Sequence, residues 1–195
     1  MVQSGALRFR YLFVSLGARI LANEIWLRGE RNGFRLHGKA DVILELPDGA
    51  LLVVDHKKSS SSARRQRMEA GWDLQAGLYR DMIARPEPKE GDRMHVLIGR
   101  KVGIAYHTMN DGVLLTSGLA LGSAGQVRDM GDQVNVSIIY HLAKRLAEVG
   151  VGAIRLNTTA DAEMFQKEAG FKAYALTDGS PLVRAFLRPA PEAGA

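Results

Sequence analysis

The sequence predicts a single domain in which a central β-sheet is covered by helices, of the α/β or α+β class. Three observations carry this. The 195 residues are 46% hydrophobic and 24% charged, an ordinary globular balance at a length that buries a core without covalent staples. Short apolar runs bounded by turn-forming residues recur along the first half, which is the pattern of strands. Among them, residues 63–85 contain no proline and carry Met68, Trp72, Leu74, Leu78 and Met82 at helical spacing, until Pro86 and Pro88 stop the run.

Taken in order, residues 6–22 ("ALRFRYLFVSLGARILA") read as a packed helix or strand at the edge of the domain. Arg8, Arg10 and Arg19 interrupt the run and no small-residue cleavage site follows, so it is not a signal peptide. No uncharged window reaches the roughly 18 residues that a membrane span needs. Strands are expected at 22–28 and 34–46, around the turn-like stretch 29–33, then at 50–57 after the turn Pro47-Asp48-Gly49. After the helix at 63–85 come strands at 94–99 and 102–108, and the Asn110-Asp111-Gly112 turn folds the second back on residues 113–118. Residues 119–130, rich in Gly and Ser, read as a loop. A helix at 133–148 has Gly150 just past its end, and a short strand follows at 153–156. Thr159 or Asp161 caps a helix at 161–169 that Gly170 closes. A strand at 173–176 and a turn-plus-helix at 178–187 complete the domain, 1–187, before a polar, disordered tail at 188–195.

The chain has no cysteine, which excludes disulfides, thiolate zinc sites, iron–sulfur ligation and cysteine nucleophiles. Nothing in the sequence points outside the cell, so a cytoplasmic location is expected. The net charge of +5 suits a polyanionic partner without demanding one, and its distribution says more. Lys57, Lys58, Arg64, Arg65 and Arg67 place five cations within eleven residues, directly after an apolar strand.

That strand ends in Asp55-His56-Lys57. Side chains alternate across a strand, so Asp55 and Lys57 share one face and His56 takes the other. A two-residue loop at Asp48-Gly49 pairs residue 41 with 56, and a three-residue loop at 47–49 pairs 41 with 55. Proline first and glycine third suit the three-residue loop, which sets Asp41 beside Asp55. Adjacent carboxylates repel unless a cation sits between them, and hard oxygen ligands suit Mg²⁺ or Mn²⁺. The backbone carbonyl of His56 can add an oxygen. Lys57 then stands where an ammonium orients water or stabilises charge on phosphorus, and Lys58, Arg64, Arg65 and Arg67 are placed for phosphate contacts. Gln75 and Tyr79, four apart on the helix, share a face that can bond a phosphate or stack on a base.

Three motifs in order therefore stand on compatible elements: Gly38-x-x-Asp41, Asp55-x-Lys57 after an apolar strand, and Gln75-x-x-x-Tyr79 on a helix. Over residues 24–79 the chain resembles the nuclease core of the PD-(D/E)XK superfamily, in its RecB-like and Cas4-like branch. The resemblance implies an α/β fold with a restriction-endonuclease-like core, a central mixed sheet flanked by helices. It implies a metal-dependent, exonuclease-like deoxyribonuclease of DNA repair, recombination or defence, with DNA as substrate and a helicase or other repair subunit as partner. Asp41 and Asp55 would hold the metal, Glu24 would match the family's upstream acid, and Gln75 and Tyr79 would contact nucleic acid. The chain departs from that pattern in having no histidine before His37 and no iron–sulfur cysteines. The different class left open is a non-catalytic nucleic-acid-binding or assembly module that keeps the fold.

Overall fold

The computed structural model describes residues 2–122, 125–132, 142–153 and 158–170. Among them lies one six-stranded mixed sheet whose strands follow one another in sequence order. Strands β1 (Arg19–Arg31) and β2 (Phe34–Glu45) form a long antiparallel ribbon. They turn on Asn32 and Gly33 alone, both left-handed at φ 51° and 77°, the twist that suits a two-residue hairpin. The turn expected over 29–33 thus shrinks to its last two residues, and β1 runs longer at both ends while β2 ends one residue early.

β3 (Leu51–Lys57) lies antiparallel to β2 and parallel to β4 (Val102–Thr108). β5 (Val113–Ser117) returns antiparallel to β4 across the expected turn, and a short β6 (Val127–Asp129) runs parallel to it, inside a stretch expected to be loop.

A parallel pair needs a crossover, and here it holds two helices, α2 (Ser61–Glu69) and α3 (Gln75–Ala84), in place of the one expected. The break is a glycine stop. Gly71 is left-handed at φ 76°, its N–H donates to Met68 O, and the N–H of Trp72 donates to Arg67 O at 3.0 Å. Those two bonds satisfy the last carbonyls of α2 and end it.

The strand expected at 94–99 is instead a 3₁₀ turn over Arg93–Val96. Met94 and Leu97 are buried while Val96 and Ile98 are exposed, a spacing of three where a strand needs two.

Helix α1 (Val2–Ser15) settles the helix-or-strand alternative at the N-terminus. Its Phe9 and Leu12 pack with Val42, Leu44, Leu52 and Val54 on one face of the sheet. On the other face Ile43, Leu51 and Val53 pack with Tyr79, Met82 and Ile83 of α3. Covered on both sides, β3 reads as an unbroken apolar run from Leu51 to Val54.

Helix α4 (Ala143–Gly150) is the described part of the helix expected at 133–148, and it extends through Gly150. Helix α5 (Thr159–Ala169) is capped by Thr158, one residue before the first expected cap: Thr158 and Asp161 form a reciprocal capping box, and left-handed Gly170 closes the end as expected. α5 packs on α2, with Trp72 and Phe165 edge to face at 4.5 Å. Residues 154–157, where most of one expected strand falls, and the elements and tail expected over 171–195 lie outside the described residues. Among the described residues no helix is long and apolar enough to cross a membrane.

Candidate active site

The turn at 47–49 has the expected three-residue form. Leu46 N–H donates to Ala50 O and Gly49 N–H to Leu46 O, each at 2.9 Å, with Gly49 left-handed at φ 83°. The pairing it starts runs from Glu45↔Leu51 to Val42↔Val54. One step further, the same register sets Asp41 across from Asp55. Asp41 Oδ2 accepts from the His56 N–H at 2.8 Å, which ties the first acid to the backbone of the strand that carries the second.

Asp55 is only 2% exposed. Burial pushes its carboxyl above the usual range, the neighbouring Lys57 opposes that shift, and the Asp41 charge adds to it. Its Oδ2 is buried, Lys57 Nζ stands 2.5 Å away as the ion-pair partner, and among the described residues no other hydrogen-bond donor reaches it.

Lys57 Nζ also donates to Gln75 Oε1 at 2.6 Å. Gln75 Nε2 donates to the Tyr79 hydroxyl, which donates in turn to the Lys39 carbonyl, both at 2.9 Å. All three motifs thus join in one chain of polar contacts, from Asp55 through Lys57, Gln75 and Tyr79 to β2. The glycine of Gly38-x-x-Asp41 has a local reason as well: a Cβ there would stand 3.0 Å from Tyr79 Cε1 and 3.3 Å from Met82 Cε. An added methyl there would need the Tyr79 ring and the Met82 methyl to give by a few tenths of an ångström.

Glu24 does not join the pair of acids. The backbone at Glu24 is left-handed at φ 48°, which resets the alternation of β1 so that Ala22 and then Ile25 and Leu27 are buried. The carboxylate turns to solvent and pairs with Lys39, whose hydrogen bond and charge lower its pKa.

Arg64 turns inward as well. It is nearly buried, its guanidinium meets Asp73 Oδ2 at 2.6 Å and lies 4.9 Å from the centroid of the Tyr106 ring. A guanidinium so held is a structural cation, which corrects its expected phosphate contact. Of the other cations, Lys58 is exposed, Arg65 pairs with Glu69 at 3.5 Å on the surface of α2, and Arg67 is half-buried.

Asp73 and Tyr106 are residues that the sequence reading missed. The only signal was an acid two residues before Gln75, at the start of a helix. Tyr106 reaches the site because β4 runs parallel to β3, where Asp55 and Tyr106 are partners.

On the opposite face, His56 Nδ1 and His107 Nδ1 stand 2.9 Å apart, with Phe9 against both rings. Burial lowers the pKa of each, that of His107 to about 4.

Among the described residues no three acids or histidines gather into a ready-made metal cluster. The donor set nevertheless fits Mg²⁺ or Mn²⁺, which bind through one or two carboxylates and take their remaining ligands from water and substrate phosphate. Asp41 and Asp55 would supply the carboxylates, and the buried Asp55 Oδ2 is a charge that a cation would compensate.

A family model described as the PD-(D/E)XK nuclease superfamily matches residues 4–170. No curated protein matches the chain.

Proposed function

The chain belongs to the PD-(D/E)XK nuclease superfamily, and from that membership we propose that it hydrolyses DNA phosphodiester bonds in an exonuclease-like manner with Mg²⁺ or Mn²⁺ as cofactor. The observation that carries this reading is the buried Asp55 carboxylate, paired with Lys57 at 2.5 Å and set in register with Asp41. Held by Asp41 and Asp55, the cation would polarise the scissile phosphate and acidify bound water.

The chain's own residues supply the rest. Asp41 and Asp55 would hold the cation from two neighbouring strands whose register the 47–49 turn sets. Lys57 carries a positive charge beside the reacting phosphate, where it stabilises the negative charge that develops on the phosphoryl oxygens. Gln75 aims that ammonium, and Tyr79, tied to the Lys39 carbonyl of β2, aims Gln75. Lys58 and Arg65, both exposed, suit the flanking phosphates.

The order and spacing of the three motifs support the RecB-like and Cas4-like branch, together with a role in DNA repair, recombination or defence beside a helicase or another repair subunit inside the cell. Helix α1 stands before β1 but brings no histidine to the acids.

The test uses single- and double-stranded DNA labelled at either end, incubated with Mg²⁺, Mn²⁺ or a chelator. Stepwise shortening from one end that needs the metal is expected. Internal fragments would make the protein an endonuclease, and intact DNA under every condition would reject the enzyme and leave a binding module.

A further inference from the structure

Helix α3 starts without a side-chain cap of its own. Leu74 stands at the cap position with a side chain that cannot accept, although the first N–H groups of a helix have no partner within it. One of them is satisfied from another element, since Ala76 N–H donates to the Tyr106 hydroxyl of β4 at 3.1 Å. That hydroxyl donates onward to Asp73 Oδ1 at 2.6 Å, and the other Asp73 oxygen takes Arg64 at 2.6 Å. Tyr106 is wholly buried, and its hydroxyl remains protonated because burial and the Asp73 charge drive its pKa well above the ordinary value. The Tyr106 ring also lies beneath Lys57, whose Nζ stands 5.9 Å from the ring centroid.

We infer that Tyr106 is a positioning residue for Lys57, acting twice: its ring lies under the ammonium, and its hydroxyl anchors the first turn of the helix from which Gln75 grips that ammonium. Arg64 and Asp73 hold the hydroxyl in place. The cation beside the reacting phosphate is then set by a buried tyrosine on a strand that carries none of the three motifs. The kinetic part of this inference rests on the nuclease reading. Its structural part does not.

Tyr106→Phe keeps the ring and removes the hydroxyl. Turnover is expected to fall about 10- to 100-fold, the cost of a small misplacement near the reacting atoms, while KM for DNA stays within about twofold. Gln75→Ala is expected to fall comparably, and the double variant to be no slower than the slower single one, because both act through one contact. Losses that multiply, a change in KM alone, or full turnover in either single variant would overturn the inference.

A second readout needs no cleavage at all. In the wild-type protein the Ala76 amide should exchange slowly with solvent despite its place in the first turn of α3. In Tyr106→Phe that protection should vanish, and the side-chain amide signals of Gln75 should move. If wild type never cuts DNA, the nuclease reading fails by itself and these signals still decide the positioning role. Should Tyr106→Phe not fold, the wild-type Ala76 exchange and the turnover of Gln75→Ala decide it, and a fast-exchanging Ala76 sinks the inference whatever the assay gives.

Discussion

Gly38 and Tyr79 meet so closely that a Cβ on the glycine would stand 3.0 Å from the tyrosine ring. The ring cannot withdraw freely, because its hydroxyl is tied to the Lys39 carbonyl on one side and to Gln75 on the other. Gly38→Ala is therefore expected to cost roughly 1–3 kcal/mol, the usual range for an added methyl in a packed site, and to lower turnover through Gln75 and Lys57. Tyr79→Phe loses only the hydroxyl bonds and should cost about 1 kcal/mol. Thermal melts and cleavage rates on both variants check this. A Gly38→Ala protein that melts and cuts like wild type would show that α3 can shift without consequence.

Asp55 and Lys57 form a pair whose two halves should respond oppositely. The Asp55 pKa is raised, so its ionised form at neutral pH is a net burden on the metal-free fold, despite the lysine. Asp55→Asn should then raise the melting temperature without metal while abolishing cleavage and the stabilisation that Mg²⁺ gives. Lys57→Ala leaves the buried carboxylate without its cation and should cost about 1–3 kcal/mol, again with cleavage lost. Melts with and without Mg²⁺ read both. Two variants that are equally destabilised and equally indifferent to Mg²⁺ would make the pair an ordinary salt bridge.

Where the sequence was legible, local chemistry decided the outcome. Pro47-Asp48-Gly49 set the loop length, loop length set the register down to Val42↔Val54, and the next residue, Asp41, bonds the backbone N–H next to Asp55. Gln75 and Tyr79 were legible as a helix face because spacing alone puts them there. The misreadings share a physical origin. Residues 63–85 kept an apolar stripe across a glycine stop at Gly71, since a periodicity does not show that the backbone has left the helix. Glu24 looked like a strand acid, but one left-handed residue turned it outward. A run of arginines shows charge and conceals partners, so in the sequence Arg64 reads as a phosphate ligand. Its partner Asp73 lies nine residues away beyond the helix break, and Tyr106 enters only through the parallel pairing of β3 and β4.

The arginines of α2 should accordingly separate in experiment. Arg64→Ala removes one half of a buried pair and is expected to cost about 3–5 kcal/mol. Arg65→Ala breaks only an exposed contact with Glu69 and should change stability by less than about 0.5 kcal/mol. On duplex DNA the order reverses: losing a phosphate contact at Arg65 should lower the salt dependence of binding by about one unit in the logarithmic slope. Denaturant melts and binding titrations over a salt series test both halves. An unchanged slope for Arg65→Ala would assign that arginine to a solvated surface.

The histidine pair behind Asp55 sets a pH dependence that can be assigned by its sign and its window. A 2.9 Å contact between two Nδ1 atoms needs one donor and one acceptor, so both rings cannot be fully protonated while it lasts. Burial first, and then the His56 ring, hold the His107 pKa at about 4, with the Asp111 charge acting weakly against them. His56 shifts the same way, opposed by Asp41 and Asp55. An unfolded chain takes up these protons near the ordinary value of 6.5 and the folded chain does not. Stability should therefore fall as pH drops from about 6.5 to about 4 and level off below, by about 3 kcal/mol at most for His107 alone. The carboxylates with lowered pKa values, Glu24, Asp92 and Asp111, lose their contributions only as pH falls below their ordinary values of 4.5 and 3.8, at the acid end of the histidine window and below it. Asp55, raised, acts with the opposite sign to all of these. Urea melts of wild type and His107→Gln across this range isolate the histidine: the variant should show a flatter slope between about pH 4 and 6.5 and the same slope below it. Parallel slopes in the two proteins would place the titrating group elsewhere.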